Sequence, residues 1–243
     1  GLTQTHQNNM GAFGGPDIVT DGLVFAVDAG SGRSYPGSGT TVTNLSGTVN
    51  ATLENGAVFS SSNGGVFDLD GIDDCIETLS LIGTDLEFLS NPQNNTNLTY
   101  SIWSYNESST SYYLFSTGAQ TSSTGVALSY QAGSGFLSIT TPTKSLSVGV
   151  SSYWPLNEWV QFTYVKTSTN TYSFYKNGVE VVSGSISGTA TQTDNFSKLR
   201  IGGPNNSTCC RFDGKIGGIL VYNQALTAAE VLQNYNAQKN RFI

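Results

Sequence analysis

Four aspartates fall within seven residues: Asp68, Asp70, Asp73 and Asp74, with Gly71 and Ile72 between them. Clustered carboxylates are the hard oxygen ligands that hold calcium, and Asp70, Asp73 and Asp74 are the candidate ligands. The same residues also build tight turns by accepting backbone N–H groups, so a metal role and a turn-capping role both fit this stretch. Glycosidase chemistry needs two carboxylates held at a defined separation, yet no Glu-x-Asp-x-x-Glu run occurs and the glutamates are scattered. The single histidine, His6, lies in a polar leader, which leaves no base for a Ser-His-Asp system. No catalytic residue is therefore assigned.

Aromatic rings offer a second chemistry, since sugar rings stack on exposed Trp and Tyr. Trp154 beside Pro155 in SSYWPLNEW reads as a loop residue and is the first platform candidate, with Tyr153, Tyr112 and Tyr113 behind it. Capping the end of the core is an equal reading for Trp154. Trp103 and Trp159 fall in strand patterns and are expected in the core. The three cysteines, Cys75 and the adjacent Cys209 and Cys210, show no metal-ligand spacing. They read either as small buried residues or as a disulfide from Cys75 to Cys209 or Cys210.

Only 11% of the 243 residues are charged, 37% are hydrophobic, and the net charge is −7. Ten Lys and Arg, scattered along the chain, form no basic stripe. Nucleic acid and an anionic membrane surface are thus excluded as partners. The apolar runs are strand-sized, so no membrane insertion is expected. Gly1 to Gly15 lacks the basic and apolar parts of a secretory signal. A Gly1 start fits both loss of an initiator Met and removal of a signal peptide.

The elements that must position these residues are short strands separated by turn clusters. Residues 1–21 carry no periodicity and read as an extended arm, with one folded domain over 22–243. Strands are expected at Leu23–Val27, Val42–Leu45, Ala51–Leu53, Ala57–Phe59, Val66–Leu69 and Cys75–Glu77. Further strands follow at Leu98–Tyr105, Tyr112–Phe115, Val126–Tyr130, Phe136–Ile139, Trp159–Lys166, Tyr172–Lys176, Val179–Val182, Leu199–Gly203 and Lys215–Tyr222. Asn177-Gly178 predicts a type I′ hairpin, because both residues tolerate positive φ. One helix is predicted over Ala228–Gln238, with Thr227 as N-cap, Glu230 as capping-box partner, and Leu226 with Val231 as staple. Its packing face is expected to hold Val231, Leu232 and Tyr235. Many strands and one terminal helix, without βαβ alternation, give an all-β class of two packed antiparallel sheets.

Several stretches in order, GLVFAVDAG, GGVFDLDGIDDCIE, LTYSIWSY, NEWVQFTYVK, YSFYKNGVEV and FDGKIGGILVYNQALTAAEVLQNYNA, resemble the concanavalin A-like lectin/glucanase superfamily in its laminin-G-like branch. The resemblance implies a jelly-roll sandwich and adds weight to calcium at the Asp-rich turn. It also marks a departure: relatives often carry acidic residues in the last strand where this chain has Gly217 and Gly218. YPGSG, the Asp-rich turn and LTAAEVLQNYNAQKNRF together resemble laminin-G-like domains of tailed-bacteriophage structural proteins. That resemblance implies a non-enzymatic virion surface protein (capsid decoration, fibre or tail component). Its arm would hold other virion proteins, and its sandwich would face host-cell glycans in a particle-assembled or homo-oligomeric state. The alternative is a secreted or cell-surface lectin or adhesin domain, extracellular rather than virion-bound. No cofactor besides calcium is called for.

Overall fold

Alternation of apolar with small polar residues dictates the architecture. The computed structural model describes residues 16–90, 96–110, 112–117, 127–131, 136–141, 144–149, 155–169, 171–185, 198–204 and 210–243. The first half of the chain forms β1 (Leu23–Asp28), β2 (Thr41–Val42), β3 (Ala51–Glu54), β4 (Val58–Ser60), β5 (Val66–Asp70), β6 (Cys75–Thr78), β7 (Leu98–Asn106) and β8 (Tyr112–Ser116). The second half adds β9 (Ala127–Gln131), β10 (Phe136–Thr141), β11 (Lys144–Gly149), β12 (Trp159–Lys166), β13 (Thr171–Lys176), β14 (Val179–Ser185), β15 (Arg200–Ile201), β16 (Asp213–Tyr222) and α1 (Ala228–Gln238).

Two antiparallel eight-stranded sheets result. The first runs β14-β13-β12-β7-β16-β5-β4 with β1 also on β16, and the second runs β11-β10-β9-β8-β15-β6-β3-β2. This is the expected jelly-roll sandwich with one C-terminal helix. Leu98, Tyr100 and Ile102 of β7 and Val160, Phe162 and Tyr164 of β12 face inward against Leu114, Phe115 and Leu128 of the second sheet. Tyr100 stacks on Phe115 at 4.3 Å and 7°. Each such side chain contributes about 1.5–3 kcal/mol by leaving water.

The other face of the first sheet is also covered. Ala26, Val165, Leu220 and Tyr222 are buried beneath Val19, Leu226 and Val231. The helix starts where expected, with the Thr227–Glu230 capping box complete, an arrangement contributing about 1 kcal/mol. Its packing face is rotated from the expected one: Val231 and Asn234 are buried, while Leu232 is 43% exposed. A closed hydrogen-bond ring accounts for this. Asn234 Oδ1 accepts from the Val19 N–H at 2.8 Å and Asn234 Nδ2 donates to Tyr222 Oη, which donates to the Val19 carbonyl. Gln233 Nε2 likewise donates to the Asp17 carbonyl. The packed unit therefore reaches back to Asp17, earlier than the expected boundary at residue 21; residues 1–15 of the arm lie outside the described residues.

The C-terminal tail closes the remaining area. Phe242 stacks on Trp103 at 4.4 Å and lies 4.6 Å from Trp159. Trp103 is buried as expected, but it sits on the outer face of the first sheet under the tail, not between the sheets. Arg241 anchors the tail through Asp28 and the carbonyls of Asn63 and Gly65.

Other local expectations divide. Asn177 and Gly178 adopt φ of 52° and 77°, as a type I′ turn requires. Thr43–Leu45 is not strand, because the Asn44 side chain replaces the ladder: Oδ1 accepts from the Ala26 N–H and Nδ2 donates to the Val24 carbonyl. Strand β11 had no counterpart in the sequence reading, Ser-rich KSLSVG giving a weak apolar pattern. Cys75 carries a free, buried thiol, contrary to a bridge from that residue; Cys210 is half-buried, and Cys209 lies outside the described residues.

Candidate functional site

The Asp-rich turn joins β5 to β6, and its carboxylates have defined work. Asp70 Oδ1 accepts from the Ile72 N–H at 2.8 Å and from the Asp73 N–H at 3.4 Å. Asp74 Oδ2 accepts from the Asp70 N–H at 3.1 Å. These bonds are the turn-capping role, and they leave Ile72 at the tip 72% exposed. The metal role is not displaced by them. Ligand oxygens of Asp70, Asp73 and Asp74 lie within 4.8 Å of one another. Asp74 is buried, and its Oδ1 has no hydrogen-bond partner among the described residues. An unpaired buried carboxylate oxygen is costly, so the donor set fits a hard cation that would satisfy it.

Charge around the turn points the same way. Burial raises the Asp74 pKa, and the Asp70, Asp73 and Asp68 carboxylates add to the rise, while the Asp70 N–H opposes it. Asp213, paired in register with Asp70, is raised by burial and by Glu107, Asp68 and Asp70. Lys215 is the cation within this group, bonded to Glu107 and 3.7 Å from Asp68. Burial works against its charge, but Glu107 and Asp68 prevail and raise its pKa. Gly217 and Gly218 supply no ligand. The place where relatives carry an acidic side chain is filled instead by the Phe242 ring: a Cβ on Gly217 would meet Phe242 Cε1 at 2.5 Å.

The expected sugar platforms fare unequally. Tyr112 is fully buried, packed edge-on to Phe212 at 5.0 Å and against Tyr130, so it is a core residue. Tyr112 shares its inward face with Leu114 two residues on, and the β8 bulge between Tyr113 and Phe115 brings Phe115 into the same core. Tyr113 is half-buried. Tyr153 and Trp154 lie outside the described residues.

Two features escaped the sequence reading. On the second sheet, Thr52, Glu77, Arg200 and Ser116 stand in register across four strands. Glu77 there binds both Arg200 and Lys198. Burial alone would raise its pKa, and the two cations overcome that and lower it. The pairing joins residues 121 and 123 positions apart, and no local signal announces it. The second feature is a cleft on the covered side of the first sheet, between β1, the end of α1 and the loop after β1.

The arrangement has known counterparts. A family model described as the concanavalin A-like lectin/glucanases superfamily matches residues 83–232, well over half of the chain. The chain belongs to the concanavalin A-like lectin/glucanase superfamily. No curated protein matches this superfamily member significantly. Among solved structures it is similar to a Trypanosoma rangeli sialidase in complex with sialic acid. There the TM-score is 0.64 and the identity 14%, over 91% of this chain and 34% of that one. It is also similar to the receptor-binding domain of botulinum neurotoxin C/D mosaic serotype. That match has a TM-score of 0.67 and 15% identity, over 90% of this chain and 52% of that one. The superfamily domain thus spans about a third of the sialidase and half of the toxin domain, and identities this low establish shared fold alone. No helix among the described residues is long and apolar enough to cross a membrane.

Proposed function

We propose that this chain is a non-catalytic, glycan-contacting module on the surface of a virus particle, with the residues before Asp17 serving its attachment to neighbouring virion proteins. The observation that carries the non-catalytic part is the state of the Asp-rich turn. It holds the compact trio of carboxylates found among the described residues, and two of the three spend oxygens on backbone N–H groups. A receptor-binding domain among the structural neighbours supports a role in surface recognition. The resemblance of YPGSG, the Asp-rich turn and the C-terminal helix to phage laminin-G-like domains supports the particle. Immunogold labelling of intact particles and cells with antibody to this chain tests the assignment. Label on particles is expected; label confined to cells or medium would replace the virion reading with a secreted or cell-surface lectin.

Calcium is the second part of the proposal. Asp70, Asp73 and Asp74 would hold the ion, which would supply the charge that Asp74 Oδ1 lacks and tie β5 to β6. Ligand that binds only the folded state stabilises it by about 2.7 kcal/mol at a hundredfold excess over Kd. Calcium is therefore expected to raise Tm by several degrees, and Asp73→Asn to abolish most of that rise while leaving the calcium-free Tm near its starting value. Melting curves identical in calcium and in chelator would remove the ion and leave the turn as structure only.

A further inference from the structure

The cleft beside β1 carries chemistry that the proposed function has not used. It is an open cleft, its roughly 520 Å3 of empty space including the solvent at its mouth. Ile18, Ala26, Leu45 and Leu220 give it an aliphatic floor. Asp28, Ser31, Arg33 and Gln238 form its polar rim.

The rim groups are held in fixed roles. Gln238 Oε1 accepts from Trp103 Nε1 at 2.9 Å and from Gln161 Nε2 at 3.2 Å. That pins the amide and leaves its NH2 group as the free end. Asp28 Oδ1 accepts from the Gly30 N–H at 2.8 Å and from Arg241, which leaves Oδ2 as an acceptor. Arg33 makes no ion pair among the described residues and is exposed. The Ser31 main chain holds its turn, its carbonyl accepting from the Ser34 and Tyr35 N–H groups, and its hydroxyl makes no hydrogen bond among the described residues.

This mixture selects a ligand class. A metal ion would face the Arg33 guanidinium, and an inorganic anion would face the Asp28 carboxylate. An aliphatic ligand would desolvate the rim without pairing it, a cost of roughly 1–3 kcal/mol per group. Neighbouring ring hydroxyls both donate and accept, while the C–H face of the same ring matches an aliphatic floor. We infer that this cleft binds one hexopyranose ring, with donors from Arg33 and Gln238, an acceptor from Asp28 and the ring face on the half-buried Ile18 and Leu45. The inference rests on the glycan-contacting reading and places its site beneath the helix end, away from the second sheet and the Asp-rich turn.

The test uses the full chain, labelled with 15N and titrated with methyl glycosides of glucose, galactose, mannose and N-acetylglucosamine, alongside a glycan array. A single ring in so open a site is expected to bind at the order of millimolar Kd. Shifts should centre on Ala26, Ser31, Arg33 and Gln238. Arg33→Ala, which removes the donor, and Ser31→Trp, which fills the mouth, should each weaken glycoside and array binding by about tenfold or more with Tm unchanged. Sugar-induced shifts elsewhere, or array binding that survives both substitutions, would overturn the cleft and leave the glycan reading standing. Absence of binding to the array and to every glycoside would overturn both.

Discussion

Phe242→Ala is expected to destabilise the protein by about 3–4 kcal/mol, the range for removing a buried aromatic ring, and to lower Tm by about 10 °C. The ring is 7% exposed, lies between Trp103 and Trp159, and rests on the Cα of Gly217. Its loss leaves a void that Trp103 cannot fill, because Trp103 is held through Nε1 by Gln238. Tryptophan emission should move to the red as water reaches both indoles. Phe242→Leu should recover about half of the loss, since bulk returns without ring stacking. Equilibrium denaturation followed by fluorescence measures both quantities. A loss below about 1 kcal/mol with unchanged emission would show that the tail does not seal this face.

Gly214→Ala should be comparably damaging. Gly214 sits in β16 between Leu69 of β5 and Asn106 of β7, at φ 144°. A Cβ there would penetrate the Tyr105 carbonyl oxygen, a backbone atom that cannot rotate away. Backbone strain of about 1–3 kcal/mol then adds to overpacking of about 1–3 kcal/mol. Together they take a large share of a typical total stability of about 5–15 kcal/mol. The central strand would have to leave its neighbours, so soluble yield and Tm should both fall. Gly32→Ala is the control, since a Cβ there meets nothing within 4 Å, and it should stay within about 0.5 kcal/mol of the parent. Equal behaviour of the two variants would mean that β16 does not pass this close to Tyr105.

Gly214 pairs with Leu69 of the core between the sheets, whereas Phe242 lies on the side of the first sheet that faces the helix, beside the proposed sugar cleft. Arg241 connects the tail to the cleft, since its guanidinium fixes the Asp28 carboxylate at the cleft rim while its neighbour Phe242 covers Trp103. Loosening the tail should therefore reach the cleft through Asp28 and Gln238.

What the sequence determined by itself was whatever depends on neighbours along the chain. Period-2 alternation in Leu98–Asn106 and Trp159–Lys166 separates the two faces of each strand, because successive strand side chains point to opposite sides. Asn177-Gly178 and the Thr227–Glu230 box are local devices whose geometry follows from residue type. The same is true of the capping bonds in the Asp-rich turn, where donors and acceptors lie within four residues. Tertiary structure decided everything that joins distant segments. Asn234 turned the helix toward Val19 and Tyr222, against the pattern that favoured Leu232, since a buried amide must be paired whatever the periodicity prefers. Packing against Phe212 and Tyr130 made Tyr112 core rather than a surface platform. Gly217 and Gly218 read as missing ligands in the sequence, whereas in the fold Gly217 makes room for Phe242, 25 residues further on. The cleft rim likewise joins Asp28, Arg33 and Gln238 from opposite ends of the chain. No window of sequence contains such a site, because packing assembles it only when the strands and helix close on one another.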